Sequence, residues 1–229
     1  MTLLARAGGP PRPPGATVVK ICGVTREADA LAAARAGADA LGFNFWPRSR
    51  RYLEPEAARA IVRALPAHVV PVGVFVDQAP AEVARIAERV GLAVVQLHGD
   101  EPPEAGAAVG LPVIKAFRVG AMFSLAELAR WPAAAYLLDA PSAGYGGSGA
   151  TFDWDVVTRG APPAPLVLAG GLGPHNVAEA IRRVHPYAVD VASGVERAPG
   201  IKDEQLMLAF VAAARSALAG EEARWRAPR

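Results

Sequence analysis

The chain has a single cysteine, Cys22, in 229 residues. An internal disulfide is impossible, so stability must come from a buried core rather than from cross-links. With nothing at the start that reads as a secretory signal, this points to a reducing cytosol and a cytoplasmic protein. Lysine is almost as scarce. Lys20, Lys115 and Lys202 are the only three among 24 basic residues, and the rest are arginines. No apolar run approaches the ~18 residues of a membrane span. Charge of one sign does not dominate either, because 22 acidic residues leave a formal net charge of +2. The arginines stand singly along helical stretches, as at Arg59, Arg63, Arg85 and Arg89, which is no nucleic-acid footprint. A hydrophobic content of 52% excludes disorder.

The length suits one domain of the α/β-barrel kind. Residues 1–16 are rich in Gly and Pro, show no period, and read as a flexible N-terminal extension. From residue 17 to 229 a short β-branched run, a loop and an Ala-rich helical segment alternate. The strand-like runs are 18–22, 38–45, 69–76, 92–97, 112–117, 134–139, 165–170 and 187–193. Helical periodicity covers 26–36, 55–65, 80–90, 102–109, 124–130, 174–184 and 203–219. Pro55 and Pro80 mark helix starts, and Gly37 and Gly91 mark stops. Continuously apolar strands suit a parallel sheet covered on both faces. Eight such units predict a single (β/α)8 barrel of parallel strands rather than an open doubly wound sheet, which usually has fewer strands.

Barrel active sites lie at the C-terminal strand ends, often with a phosphate site after strands seven and eight. Those ends carry Cys22, Asn44, Asp77, His98, Arg118, Asp139, Gly170-Gly171 and Ser193-Gly194. On the first strand, Lys20 and Cys22 share a face. A neighbouring ammonium favours the thiolate, so the expected Cys22 pKa is lowered toward neutrality. A lone free cysteine is commonly a small buried hydrophobe, and its strand-end place is what argues for chemistry. Asp139 is a candidate general acid or a loop anchor. Gly170-Gly171 and Ser193-Gly194 offer backbone amides to a phosphate, or form two ordinary βα turns. Arg48-Ser49-Arg50-Arg51 is sized for a small anion. The glycines of 144–149 fit a dinucleotide fingerprint formally, but they follow the sixth strand and read better as a lid. No metal site is expected, since His68, His175 and His185 fall away from strand ends.

Seven runs then occur in order: KICGVT (20–25), GADALGFNFWPRSRRY (37–52), VGVFVD (72–77), VQLHGDE (95–101), LLDA to TFDW (137–154), LAGGL (168–172) and VDVASGVERAPGIKD (189–203). Together they make the chain resemble the phosphoribosylanthranilate isomerase family from Val18 to the last helix. The resemblance implies a TIM barrel of tryptophan biosynthesis that works without a cofactor, by an acid/base-catalysed Amadori rearrangement. It implies Cys22 as general base, Asp139 as general acid, and Arg51 on the anthranilate carboxylate. Asp190 would lie near the substrate amine, His98 close to the site, and Gly170, Gly171, Ser193 and Gly194 around the ribose phosphate. Many members have two serines before the strand-eight glycine, whereas Ala192-Ser193 stands here. The partners implied are the small phosphoribosyl substrate and at most a second copy (monomer or homodimer), with no nucleic acid and no membrane. A related phosphosugar barrel, such as an epimerase or indole-glycerol-phosphate synthase, lacks the strand-one cysteine base. A barrel that only binds an anion needs neither Cys22 nor Asp139.

Overall fold

Alternation along each strand sorts its side chains between two cores. The computed structural model of the chain describes residues 3–4, 17–141, 151–160 and 162–218. Eight strands close into a barrel in sequence order: β1 (Val18–Cys22), β2 (Ala40–Asn44), β3 (Val70–Phe75), β4 (Val94–Leu97), β5 (Val113–Arg118), β6 (Ala135–Asp139), β7 (Leu166–Leu168) and β8 (Ala188–Val191). Every neighbouring pair is parallel, and β1 pairs with both β2 and β8. Val19, Ile21, Leu41, Phe43, Phe75 and Val189 point outward and pack against the helices. Val18, Ala40, Val72, Ile114, Leu137, Val167 and Ala188 point inward and fill the barrel. The expected (β/α)8 architecture is therefore the observed one.

The helices are α1 (Glu27–Ala36), α2 (Pro55–Ala64), α3 (Pro80–Val90), α4 (Pro103–Ala107), α5 (Asp155–Thr158), α6 (Val177–Val184) and α7 (Glu204–Ser216). Pro55 and Pro80 occupy first turns, and Gly37 and Gly91 close α1 and α3 in the left-handed conformation. Between β5 and β6 the segment Leu125–Arg130 is a 3-10 helix started by a Ser124–Glu127 capping box. Helix α6 begins three residues later than its apolar period suggests. Asn176 bonds back to Gly173 N and Gly171 O and holds the preceding residues as a turn. A small antiparallel hairpin, β9 (Glu196–Ala198) with β10 (Ile201–Lys202), follows β8 and has no counterpart in the sequence expectation.

The extension also departs from expectation where it is described. Leu4 is fully buried, joins the barrel-interior cluster beside Leu3 and Tyr187, and donates its N–H to Tyr187 Oη at 2.9 Å. An interior lined by Ala40, Ala135 and Ala188 is short of volume, and a leucine entering at the N-terminal strand ends supplies it. This pair is a plug, not a frayed end. Leu4→Ala should cost about 2–5 kcal/mol. At roughly 2–4 °C per kcal/mol for a chain of this size, thermal unfolding should start several degrees lower. An unchanged midpoint, for this variant or for removal of residues 2–16, would return the segment to a dispensable tail. The candidate lid at 144–149 lies outside the described residues.

Candidate active site

One cavity opens at the C-terminal strand ends. Cys22, Arg51, His98, Asp139, Gly170, Gly171, Asp190 and Ser193 all line it, although they come from six different strand ends and loops. Gly194 stands just behind the wall. A Cβ there would lie 2.0 Å from the Leu172 carbonyl oxygen, so only glycine lets the two phosphate-candidate loops touch. Of the three arginines in the cluster only Arg51 reaches the cavity, which Ser49 also lines. Arg48 is exposed and lies over the Trp46 ring, and Arg50 faces solvent. Of the other strand-end candidates, Asn44 lines it and Asp77 and Arg118 do not.

The floor is a buried charge pair. Lys20 Nζ, on β1, donates to Asp190 Oδ1 on β8 at 2.8 Å, and the two residues are neighbours in the β1–β8 register. Burial would strip Lys20 of its proton, but the Asp190 carboxylate and the Cys22 sulfur outweigh it and raise its pKa. Cys22 sits one layer above and departs from the lowered pKa read from the sequence. Burial pushes its thiol up, Asp190 adds to this, and the pull from Lys20 and Lys202 does not make up the difference.

The opposite wall carries Asp139 at the end of β6. Its Oδ1 accepts from Ala140 N at 2.8 Å, which leaves Oδ2 turned toward His98 Nε2 at 3.3 Å. That approach is close but outside hydrogen-bond geometry. His98 Nδ1 meets Gln96 Nε2 at 2.8 Å, which orients the ring. Gln96 is 1% exposed, and its Oε1 has no partner although it lines the cavity. Sequence reading passed over Gln96, because a single amide in an apolar strand looks like core.

It passed over Glu196 and Lys202 as well, both in the unforeseen hairpin. Glu196 accepts from Arg51 Nε at 2.9 Å and Arg51 Nη2 at 2.6 Å. Lys202 Nζ donates to Glu196 Oε1 at 2.8 Å, to the Ala192 carbonyl at 3.1 Å and to the Cys22 carbonyl. Both residues lie inside the 189–203 motif, but neither has a periodic signal. Only their six-residue spacing across a turn could have flagged them.

A thiol, two carboxylates, an imidazole, a guanidinium and glycine-flanked backbone amides thus surround one cavity, an arrangement able to move protons on an anionic ligand. Among the described residues no three His, Cys, Asp or Glu side chains group as metal ligands. No described helix is long and apolar enough to cross a membrane.

The family model for N-(5'phosphoribosyl)anthranilate (PRA) isomerase matches residues 19–213. The chain is 51% identical over 203 residues to the N-(5'-phosphoribosyl)anthranilate isomerase of Myxococcus xanthus, spanning 86% of this chain and 96% of the relative. It superposes on the phosphoribosyl anthranilate isomerase of Thermus thermophilus with a TM-score of 0.81 at 48% identity, over 87% of this chain and 99% of that one. A further isomerase structure, solved in complex with reduced 1-(o-carboxyphenylamino)-1-deoxyribulose 5-phosphate, matches with a TM-score of 0.75 at 40% identity, over 87% and 99% of the two chains. Since the match runs through every strand of the barrel and every wall of the cavity, the chain belongs to the N-(5'-phosphoribosyl)anthranilate isomerase family.

Proposed function

We infer that the protein converts N-(5-phosphoribosyl)anthranilate to 1-(2-carboxyphenylamino)-1-deoxyribulose 5-phosphate, a step of tryptophan biosynthesis, in a reducing cytosol. The observation that carries this reading is Cys22 and Asp139 on opposite walls of one cavity that Arg51 also lines.

The proton route follows from that placement. Asp139, in its protonated form, gives its proton to the ribose ring oxygen. The C1'–O bond breaks as the nitrogen lone pair closes a C=N bond, and an iminium results. The iminium acidifies the C2' proton, which the Cys22 thiolate removes. The electrons of that C–H bond form the C1'=C2' bond of an enolamine as the C=N pair returns to nitrogen, and the enolamine then takes a proton at C1' while its C2' hydroxyl loses one, which gives the ketone. Atoms and electrons balance without an outside oxidant or reductant. The iminium brings a positive charge over Cys22 at the step that needs the thiolate, which works against the raised pKa of the thiol. His98 stands beside Asp139, and Asp190, turned into the cavity above Lys20, lies toward the substrate nitrogen.

The phosphate belongs between the amides of Gly170-Gly171 and the Ser193-Gly194 turn, with the Ser193 hydroxyl as one more donor. Inorganic phosphate should therefore inhibit competitively with the substrate, and purely non-competitive inhibition would remove that assignment. Arg51→Ala should raise KM by roughly tenfold or more, because a charge-assisted contact to the carboxylate is lost. An unchanged KM would take Arg51 off the substrate. The function itself is tested by complementation. A tryptophan auxotroph missing only this isomerase should grow without tryptophan when given this chain, and failure with soluble protein present would overturn the reading.

A further inference from the structure

The side of Arg51 that faces the cavity is set by two residues with no assigned role. A guanidinium has two edges that hold a carboxylate bidentately, one formed by Nε and Nη2 and one by Nη1 and Nη2. Glu196 takes the first, at 2.9 and 2.6 Å, and its carboxylate is only 4% exposed. The second edge remains for a ligand, and Arg51 lines the cavity. Glu196 is itself anchored twice more, by Lys202 Nζ at 2.8 Å and by Gly200 N at 3.2 Å. Burial would raise its carboxyl, but the Arg51 fork and the Lys202 ammonium outweigh burial and hold it below the usual carboxylate range. On the other flank, the stem of Arg51 crosses the end of β1. A Cβ at Gly23, where φ is +73°, would lie 2.3 Å from Arg51 Cδ. The side chain is thus clamped between a residue without a side chain and a buried carboxylate.

We propose that Glu196, held by Lys202, is the positioning residue that presents the free edge of Arg51 to the cavity and so makes the site selective for a substrate bearing an aryl carboxylate. This rests on the reading of Arg51 as the carboxylate contact. Without Glu196 the arginine keeps its charge but loses its orientation, and a long flexible side chain would then spend its ordering entropy on binding. Lys202 joins the same clamp to the catalytic strand. It bonds the carbonyls of Cys22 and Ala192, so the arginine and the strand carrying the cysteine share one buried ammonium.

The test is equilibrium titration of two stable ligands, reduced 1-(o-carboxyphenylamino)-1-deoxyribulose 5-phosphate and its counterpart without the carboxyl group. Glu196→Gln should weaken the carboxylated ligand by about tenfold and leave the other within about twofold. Glu196→Asp keeps the charge on a shorter arm and should give a smaller loss, again confined to the carboxylated ligand. It also keeps the test open should the glutamine variant fail to fold. Equal weakening of both ligands would make Glu196 a general support of the loop and overturn the proposal, as would no change in either. Arg51→Ala, titrated alongside, separates the two readings. If it too leaves the difference between the ligands intact, the Arg51 assignment fails; if it abolishes the difference while Glu196→Gln does not, the positioning role alone fails.

Discussion

Cys22→Ser is expected to lower kcat by about 10²–10⁴-fold, the usual contribution of a positioned base, while KM stays within a few-fold. The exchange of sulfur for oxygen changes little in shape, so the cavity, the Lys20–Asp190 pair beneath it and the Lys202 bond to the Cys22 carbonyl should persist. The proton affinity at the reacting atom is what changes, because a serine hydroxyl has no accessible anionic form near neutrality. The raised thiol pKa adds a pH signature. A base works only when deprotonated, so a pKa above the ordinary thiol value moves the rising limb of kcat/KM to the alkaline side of the usual thiol range. The wild type should show that limb, and the residual activity of Cys22→Ser should not. A serine variant with wild-type kcat would remove Cys22 from the reaction.

Asp139→Asn should be comparably severe, again about 10²–10⁴-fold in kcat, for the opposite reason. The amide retains an oxygen to accept from Ala140 N, so the end of β6 should hold its shape. It has no acidic proton to give to the ring oxygen, and ring opening then depends on water. The loss should fall on kcat, with KM altered far less than by Arg51→Ala. Matched losses in kcat and in affinity would instead mark Asp139 as a binding group.

The barrel was legible because its signals are local and repeated. Eight apolar runs, proline starts and glycine stops each act within a turn or two, and Gly37 and Gly91 take up the left-handed caps their positions imply. Cys22, His98, Asp139, Gly170 and Ser193 were legible as strand ends, since a closed barrel gathers strand ends whatever their separation in sequence. What escaped depends on distant partners. The Cys22 pKa looked lowered because Lys20 is two residues away. It is raised because burial outweighs the pull of Lys20, and Asp190, which only barrel closure brings alongside, adds to the rise. Leu3-Leu4 in a Gly/Pro-rich stretch has no period to read, and its role exists only because the alanine-rich interior leaves space. Glu196 and Lys202 look like solvated charges in a loop, and become a buried clamp once the hairpin folds over the end of β1.

The most direct measurement is the fluorescence of phosphoribosylanthranilate, followed after addition of the purified chain in buffer with a chelator and no cofactor. Reaction without redox or metal help is what an acid on β6 and a base on β1 predict. The fluorescence should then decay catalytically, at a turnover of about 1–10³ s⁻¹, and Cys22→Ser and Asp139→Asn should each slow the decay to a small fraction of that rate. A folded wild-type chain that leaves the fluorescence unchanged, or one whose two variants match it, would contradict the proposed chemistry at the barrel mouth.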